Sequence, residues 1–563
     1  MRDAREWERH FQTGAVKVER RAGGLCGRMC FVAGYLMKKY IIGLSIAAFT
    51  FVGCSDFLEE PVRGQQDLSE YFKNEDECAQ QITGCYQSLF WDDWWQIQKF
   101  YLAGDMCTDD MWMGNTSQDP GEYKALAHYT GDTQTGGNCS QNFWQYRYKG
   151  ILRCNVAIQR IPTVQFEDEN LRKRYVAEAK FIRAYHYFDL VRNFGGIPLI
   201  TELKMPSEIE GIKRTSLEES YAQIEKDLKE AITDLPRKGA YSSENLGRAT
   251  QGAAQGLLAK VYLYQEKYDL AEAELDSLIN IHKGEYKLLE NFGDVWSIDY
   301  NNSDESLFEI QTNNDIAYNL GIRMPVVCGS RDDSGWAWGI PTSNLEKAFK
   351  DAGDDERLKW TIIKDGDIIP GDEGRGAYTI SSVNHKSGRV TRKLYIPLAH
   401  RPSPYDASHI PLNYRILRYA DILLMYAEVE NALGKDENAR KALNEVRTRA
   451  KLSEVGTEVT GITLRDAIRL ERRLELALEN NRLFDLRRWK GDDGKPLICS
   501  IMGKNGSFVK YNLEESTDQY EISNQKEASD KGITFTVPRD LLFPIPTSEI
   551  TMSNGTIEQN PGY

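Results

Sequence analysis

The sequence predicts a mainly α-helical body of tetratricopeptide-like helix pairs, interrupted by long loop-rich segments that form a ligand face and carry a few short strands. Three observations predict it. Apolar residues recur at helical spacing in paired runs, small residues line one helix of a pair, and the stretches between pairs are irregular and rich in aromatic side chains.

The clearest pair is Ala249–Ile281. Ala254, Leu257, Leu258 and Val261 form one stripe, Gln265, Glu266 and Lys267 a polar break, and Tyr268, Ala271, Leu275 and Leu278 a second stripe. Gly252, Ala253 and Gly256 let a neighbouring helix approach closely. A second pair is read over Tyr414–Leu433 and Asn438–Ala450, and a third over Arg172–Phe194 and Ser216–Leu235. In Arg172–Phe194 apolar residues run around most of the circumference, as in a helix contacted on several sides. Gly195, Gly196 and Pro198 end it sharply. A weaker pair is Glu75–Phe90 with Asn142–Arg160. In round bounds the pairs occupy 75–160, 171–235, 249–281 and 414–450 of a single domain over 75–563.

Thr463 and Asp466 have capping-box spacing, and the helix they open is expected to turn Ala467, Leu470, Leu474, Ala477 and Leu478 inward. Its charged residues Glu471, Arg472, Arg473, Glu475 and Glu479 are read as solvated or as structural pairs. Between the pairs lie 91–141, 284–412 and 490–563, loops long enough to suggest function, with short strands expected at Ser306–Gln311 and Ile533–Val537.

The N-terminal stretch reads as an address. Met37, Lys38 and Lys39 are a basic start, Ile41 to Val52 is an almost wholly apolar run, and Gly53-Cys54 closes it. The run is too short for the ~20 residues of a membrane-spanning helix, so 37–53 reads as a signal peptide. A small residue before Cys54 resembles a lipobox, which would lipidate that thiol; acyl chains supply membrane affinity of about 0.8 kcal/mol per buried CH₂. On this reading 1–36 is a non-native upstream extension and 54–74 a lipidated, acidic tether.

Composition narrows the partners. With 41% hydrophobic and 27% charged residues the chain can bury a core and stay soluble, and a net charge of −14 argues against nucleic acid, which needs a basic face. The ten cysteines include no Cys-x-x-Cys, and no His pair falls at helical spacing, so zinc is not expected; whether another ion is held stays open. Cys78 and Cys85 would share a helix roughly 10 Å apart along its axis, beyond disulfide reach.

Two aromatic clusters stand out in loop-like sequence. A sugar ring has an apolar C–H face and a hydroxyl rim, so its recognition takes an exposed aromatic platform with polar groups alongside. The first candidate platform is Trp91, Trp94 and Trp95, with Asp109 and Trp112 following. The second is Arg331, Asp333, Trp336 and Trp338, where strand alternation would put both indoles on one side. Tyr123, Trp144 and Tyr378 are weaker candidates, and Trp144 and Trp489 sit in helical contexts that suggest core.

Five segments in order carry a family resemblance: Cys54–Glu59 (CSDFLE), Ala177–Leu199 (AEAKFIRAYHYFDLVRNFGGIPL), Tyr414–Glu428 (YRILRYADILLMYAE), Glu471–Trp489 (ERRLELALENNRLFDLRRW), and the closing Leu542–Pro546 (LFPIP) with Gln559–Tyr563 (QNPGY). From Cys54 onward the chain resembles the SusD/RagB-like outer-membrane nutrient-binding lipoproteins. The resemblance implies a non-catalytic, surface-facing lipoprotein with no cofactor beyond the lipid on Cys54. It would lie as a lid on a SusC-like TonB-dependent transporter and hold an oligosaccharide or, in some members, a peptide. An enzyme of the glycoside hydrolase kind would need two carboxylates at a fixed separation; with 84 Asp plus Glu, such a pair cannot be picked out by counting. A bare helical scaffold would leave the Trp-rich loops unexplained.

Overall fold

In a computed structural model, residues 71–90, 100–113, 121–130, 137–381, 387–514 and 533–563 are described, apart from positions 316, 318, 319, 402, 404, 407 and 408. The signal peptide, Cys54, the tether up to residue 70, and Trp91, Trp94 and Trp95 lie outside the described residues. Tyr71 to Tyr563 form one unit.

The principal helices are α1 (Glu75–Phe90), α2 (Gly137–Arg160), α3 (Glu169–Phe194), α4 (Leu217–Asp234), α5 (Gln251–Tyr264), α6 (Tyr268–Asp276), α7 (Tyr419–Ala432), α8 (Asp436–Arg449), α9 (Gly461–Glu475) and α10 (Arg482–Arg488). The body is mainly helical with a few short strands, as the sequence predicts. Successive helices pack on one another: α1 on α2 and α3, then α2 on α3, α3 on α4, α4 on α5, α5 on α6, α6 on α7, and α7 on α8 and α9. Side chains from Tyr175 to Phe194 are buried at nearly every position of α3, which accounts for apolar residues running around most of its circumference. Asp168 caps its first turn, and Gly195, at φ +78°, ends it. Gly252 and Gly256 allow close approach: a Cβ on either would meet Tyr286 or Leu417 within 2.7 Å.

Three local expectations are corrected. Tyr414–Arg418 is a strand, not the start of a helix, because it pairs antiparallel with Ser306–Ile310 and the helix begins at Tyr419. The helix after residue 460 starts at Gly461 with Thr460 at its N-cap and no side-chain capping bond, so Thr463 does not open it. Leu470 on that helix is 43% exposed, while Glu471, Arg472 and Glu475 are buried. The charged positions turn inward because they meet buried partners. Glu475 accepts from Arg418 (2.6 Å) and Arg357 (2.9 Å) and also pairs with Arg449; Arg472 joins Asp421 (2.5 Å) to Asp485 (2.8 Å).

The strands form three antiparallel pairs: β1 (Met111–Met113) with β3 (Gly339–Pro341), β2 (Ser306–Ile310) with β6 (Tyr414–Arg418), and β4 (Ile362–Lys364) with β5 (Arg389–Thr391). Phe535, in the second stretch read as a strand, makes a single bridge to Gly503. Beside the main core, Ile363, Ile369, Tyr378, Ile380, Val390 and Tyr395 form a small second core under the loops after β4. Glu346 fastens β4 and β5 to helix Ser343–Asp351 through Lys364 (3.0 Å) and Arg389 (2.6 Å), and also pairs with Lys350 (2.6 Å) one turn along its own helix. Burial opposes its ionisation, but these cations hold its carboxyl down at about 2. Cys78, Cys85, Cys107, Cys154, Cys328 and Cys499 are free.

Candidate functional site

The structure divides the candidates. Trp112, in β1, is 3% exposed, with its ring 5.3 Å from Phe508 and 6.0 Å from His128. Asp109 is buried between Arg482 (3.0 Å) and Arg473 (3.0 Å), and although burial works to raise it, these two guanidiniums hold its carboxyl down at about 2. Both are therefore structural, correcting the expectation that they face a ligand. Burial wins because β1 pairs with β3, drawing 109–113 inside the body. Trp144 and Trp489 are core, as their helical contexts suggest; Tyr123 and Tyr378 are also buried and are not exposed contacts.

Trp336 and Trp338 remain half-buried, packed on the core with part of each ring at the surface. Their centroids lie 4.9 Å apart with planes inclined by 55°, and Trp338 stacks on buried Tyr123 at 6.1 Å and 27°. They share one side, but not by strand alternation. Ala337 between them has φ +54° and Ser334 has φ +62°, left-handed conformations costly for residues with a Cβ.

The strained loop is held by its backbone. Trp336 N–H donates to the Val326 carbonyl (2.8 Å), Ala337 N–H to Gly329 (2.9 Å), Trp338 N–H to Val327 (2.9 Å) and Gly335 N–H to Ser330 (2.7 Å). A Cβ on Gly335 would come within 2.2 Å of the Gly329 backbone, so that crossing requires glycine. Such a loop presents its rings with little freedom left to lose on binding.

Asp333, three residues before Trp336, is gripped by both arms of Arg401 (2.6 and 3.0 Å) and reached by Arg375 (3.1 Å). Burial works to raise its pKa, but Arg401 and Arg375 outweigh it and keep the carboxyl below its ordinary value. The guanidinium of Arg401 also lies 4.9 Å from the ring of Tyr405, which is 39% exposed. Arg375 stands over Tyr378 (4.8 Å) and donates to the Tyr395 hydroxyl (3.0 Å), which donates in turn to Asp372 (2.5 Å). Neighbouring Asp332 accepts the Ser381 N–H (2.6 Å), and Arg331 is partly buried beside it. The result is a pair of indole faces next to an ionised, doubly held carboxylate and an accessible tyrosine.

This arrangement suits recognition. Indole faces accept sugar C–H surfaces, and charged groups of fixed orientation order a hydroxyl rim. It is poorly suited to general acid catalysis, which needs a carboxyl whose pKa is raised. No group of three or more His, Cys, Asp or Glu placed to hold a metal ion occurs among the described residues. The sequence singled out Arg331, Asp333, Trp336 and Trp338, all partly buried in the structure, but not Arg375, Arg401 and Tyr405, which pack around Asp333. Arg401 lies 68 residues from the carboxylate it holds, in irregular sequence with no period to bring the two together.

A helical-repeat body with long loop-rich segments defines the fold class, and comparisons with known proteins place the chain in a family of that class. Residues 294–563 match the SusD family, and residues 56–263 match a SusD-like family described as starch-binding associating with outer membrane. The chain belongs to the SusD/RagB family. It is 29% identical to SusD-like protein P2 of Formosa agariphila over 94% of this chain and all of that protein. It is 26% identical to the starch-binding protein SusD of Bacteroides thetaiotaomicron, over 70% of this chain and 73% of that one. Among solved structures, a laminarin binding SusD-like protein superposes with a TM-score of 0.70 at 28% identity, covering 87% of this chain and 100% of its own.

Proposed function

We propose that this protein captures a glycan at the outer surface of the cell and hands it to a SusC-like TonB-dependent transporter in the outer membrane. The observation that carries the reading is the half-buried pair Trp336 and Trp338 on a backbone-clamped loop, bordered by the Asp333–Arg401 pair. Relatives described as starch-binding and laminarin-binding support a neutral glucan as the first ligand class to try. Cys54 carries the lipid anchor and 54–74 tethers the body, with no cofactor besides the lipid. No helix among the described residues is long and apolar enough to cross a membrane.

The protein is read as acting by binding rather than by turnover, as its relatives named for binding suggest, with Asp333 beside the platform already held by two arginines. Calorimetry against laminarin, amylose and an unrelated peptide library tests the ligand class. Binding to a glucan with no release of reducing ends on prolonged incubation is expected. Selective binding of peptides would replace the glycan by a peptide, and sustained release of reducing ends would make the protein a hydrolase.

A further inference from the structure

Helix α9 and the segment after α10 enclose a surface cleft of about 520 Å³, within the 300–1,000 Å³ of small-molecule sites. It shares no lining residue with the Trp336–Trp338 platform. Arg465, Arg469 and Arg473 line it at i, i+4 and i+8 on one helix face, their Cβ atoms about 6 Å from one to the next.

The charges there pair off with one exception. On the floor, Arg473 holds Asp110 (2.6 Å) and Asp109 (3.0 Å), and Arg482 also holds Asp109 (3.0 Å). At the rim Arg465 reaches Asp466 (2.8 Å) and, loosely, Asp492 (3.8 Å), while Asp493 faces Lys495 (3.8 Å). Glu428, behind the cleft, is bound by Arg488 and by the Trp489 indole N–H (2.9 Å). Among the described residues Arg469 makes no salt bridge, the nearby carboxylates Asp466 and Glu428 pairing instead with Arg465 and Arg488. Its guanidinium lies 5.2 Å from the ring of Trp489 and donates one bond, to the Lys490 carbonyl (3.2 Å). Burial first, then the neighbouring charge of Arg465, depress its pKa against the opposing pull of Glu428 and Asp466. Leu470, 43% exposed, and half-buried Leu497 add an apolar wall.

We infer that this cleft is a second ligand site, separate from the aromatic platform, which takes the carboxylate or sulfate of an acidic sugar on Arg469 with the sugar body against Leu470 and Leu497. A guanidinium fork matches either group bidentately, and Trp489 beneath it fixes the plane of the fork. The acid is a sugar substituent rather than part of a protein partner because a single cation outside any salt bridge, in an open cleft of small-molecule size, is not an extended basic surface.

The test uses the full-length chain carrying Trp336→Ala, so that ligand held by the platform is silenced and the outcome is independent of the function proposed above. Titration with digalacturonate is expected to give saturable binding. Arg469→Gln should weaken it at least tenfold, and Arg469→Lys, which keeps the charge but loses the fork, should fall between. Laminaribiose, neutral and of similar size, should show no Arg469-dependent binding. Inorganic sulfate that displaces digalacturonate would identify the bare anion as the recognised group; sulfate that cannot displace it would assign recognition to the sugar-borne acid, and either result supports the site. Absence of digalacturonate binding, or equal binding by Arg469→Gln and its parent, overturns the inference, and so does exclusive binding of an oligoglutamate peptide.

Discussion

Arg401 holds Asp333 with both arms of its guanidinium, at 2.6 and 3.0 Å, and so ties the loop bearing Trp336 and Trp338 to the segment bearing Tyr405. Asp333→Asn should keep the fold but loosen this tie, weakening glucan binding several-fold with little change in melting temperature. The carboxyl sits below its ordinary value, so the tie is complete at neutral pH and is lost as pH falls through that depressed value. Affinity is therefore expected to stay level from pH 7 to pH 5 and to drop only below about pH 4, the unperturbed carboxylate range. Calorimetry across that range checks both statements.

Glu475 is the hub of the buried ion pairs. It is fully buried and receives Arg357, Arg418 and Arg449. Burial opposes its ionisation, yet Arg449, Arg418 and Arg357 hold its pKa well below the usual carboxylate range. Removing one partner of such a set strands the others, so Glu475→Gln should cost about 3–5 kcal/mol, read as a lowered denaturation midpoint. Wild-type stability from this residue is present above the ordinary value of 4.5 and is lost on acidification.

Trp112 distinguishes a core aromatic from a ligand contact. Trp112→Ala should destabilise the body by about 3–5 kcal/mol, the usual effect of emptying a buried aromatic site. Below its own melting temperature the variant should bind glucan as tightly as the wild type. Weakened binding by a folded Trp112→Ala protein would return 109–113 to the ligand face.

Asp105 predicts the opposite pH behaviour to Glu475. Its carboxyl is fully buried and, through burial first and Asp110 second, is pushed up to about 8. The folded state holds that proton where the unfolded chain has released it, so stability falls as pH rises from about 4 towards 8. Asp105→Asn keeps an acceptor for the Asn480 N–H (2.6 Å) and removes the penalty. It should melt higher than the wild type at pH 8 and show no such gain at pH 4, as scanning calorimetry at the two pH values would reveal.

Much of the helical array was legible because α3, α5 and α6 carry their packing in local periodicity. Tyr414–Arg418 was not, since the pairing that makes it a strand comes from Ser306–Ile310, more than a hundred residues earlier. Of the two readings of the charged face of α9, solvated or structurally paired, the structure selects the second for a related reason. A helix projection assigns Glu471, Arg472 and Glu475 to solvent, and only tertiary structure supplies Arg357, Arg418, Asp421 and Arg449 to pair them inside. At the platform, residue type and loop context pointed to Trp336 and Trp338. The same reasoning misjudged Trp112, whose three-residue strand is buried by pairing with Gly339–Pro341. The closing motif segments proved structural too: Asn560 bonds the carbonyls of Phe194 and Phe543, fastening the C-terminus to the end of α3.

The most direct measurement is the affinity of the full-length protein and of its Trp336→Ala variant for the glucan that the wild type binds. The account predicts saturable binding by the wild type and at least a tenfold loss in the variant, or about 1.4 kcal/mol, with an unchanged melting temperature. Equal affinity in the two proteins would contradict it.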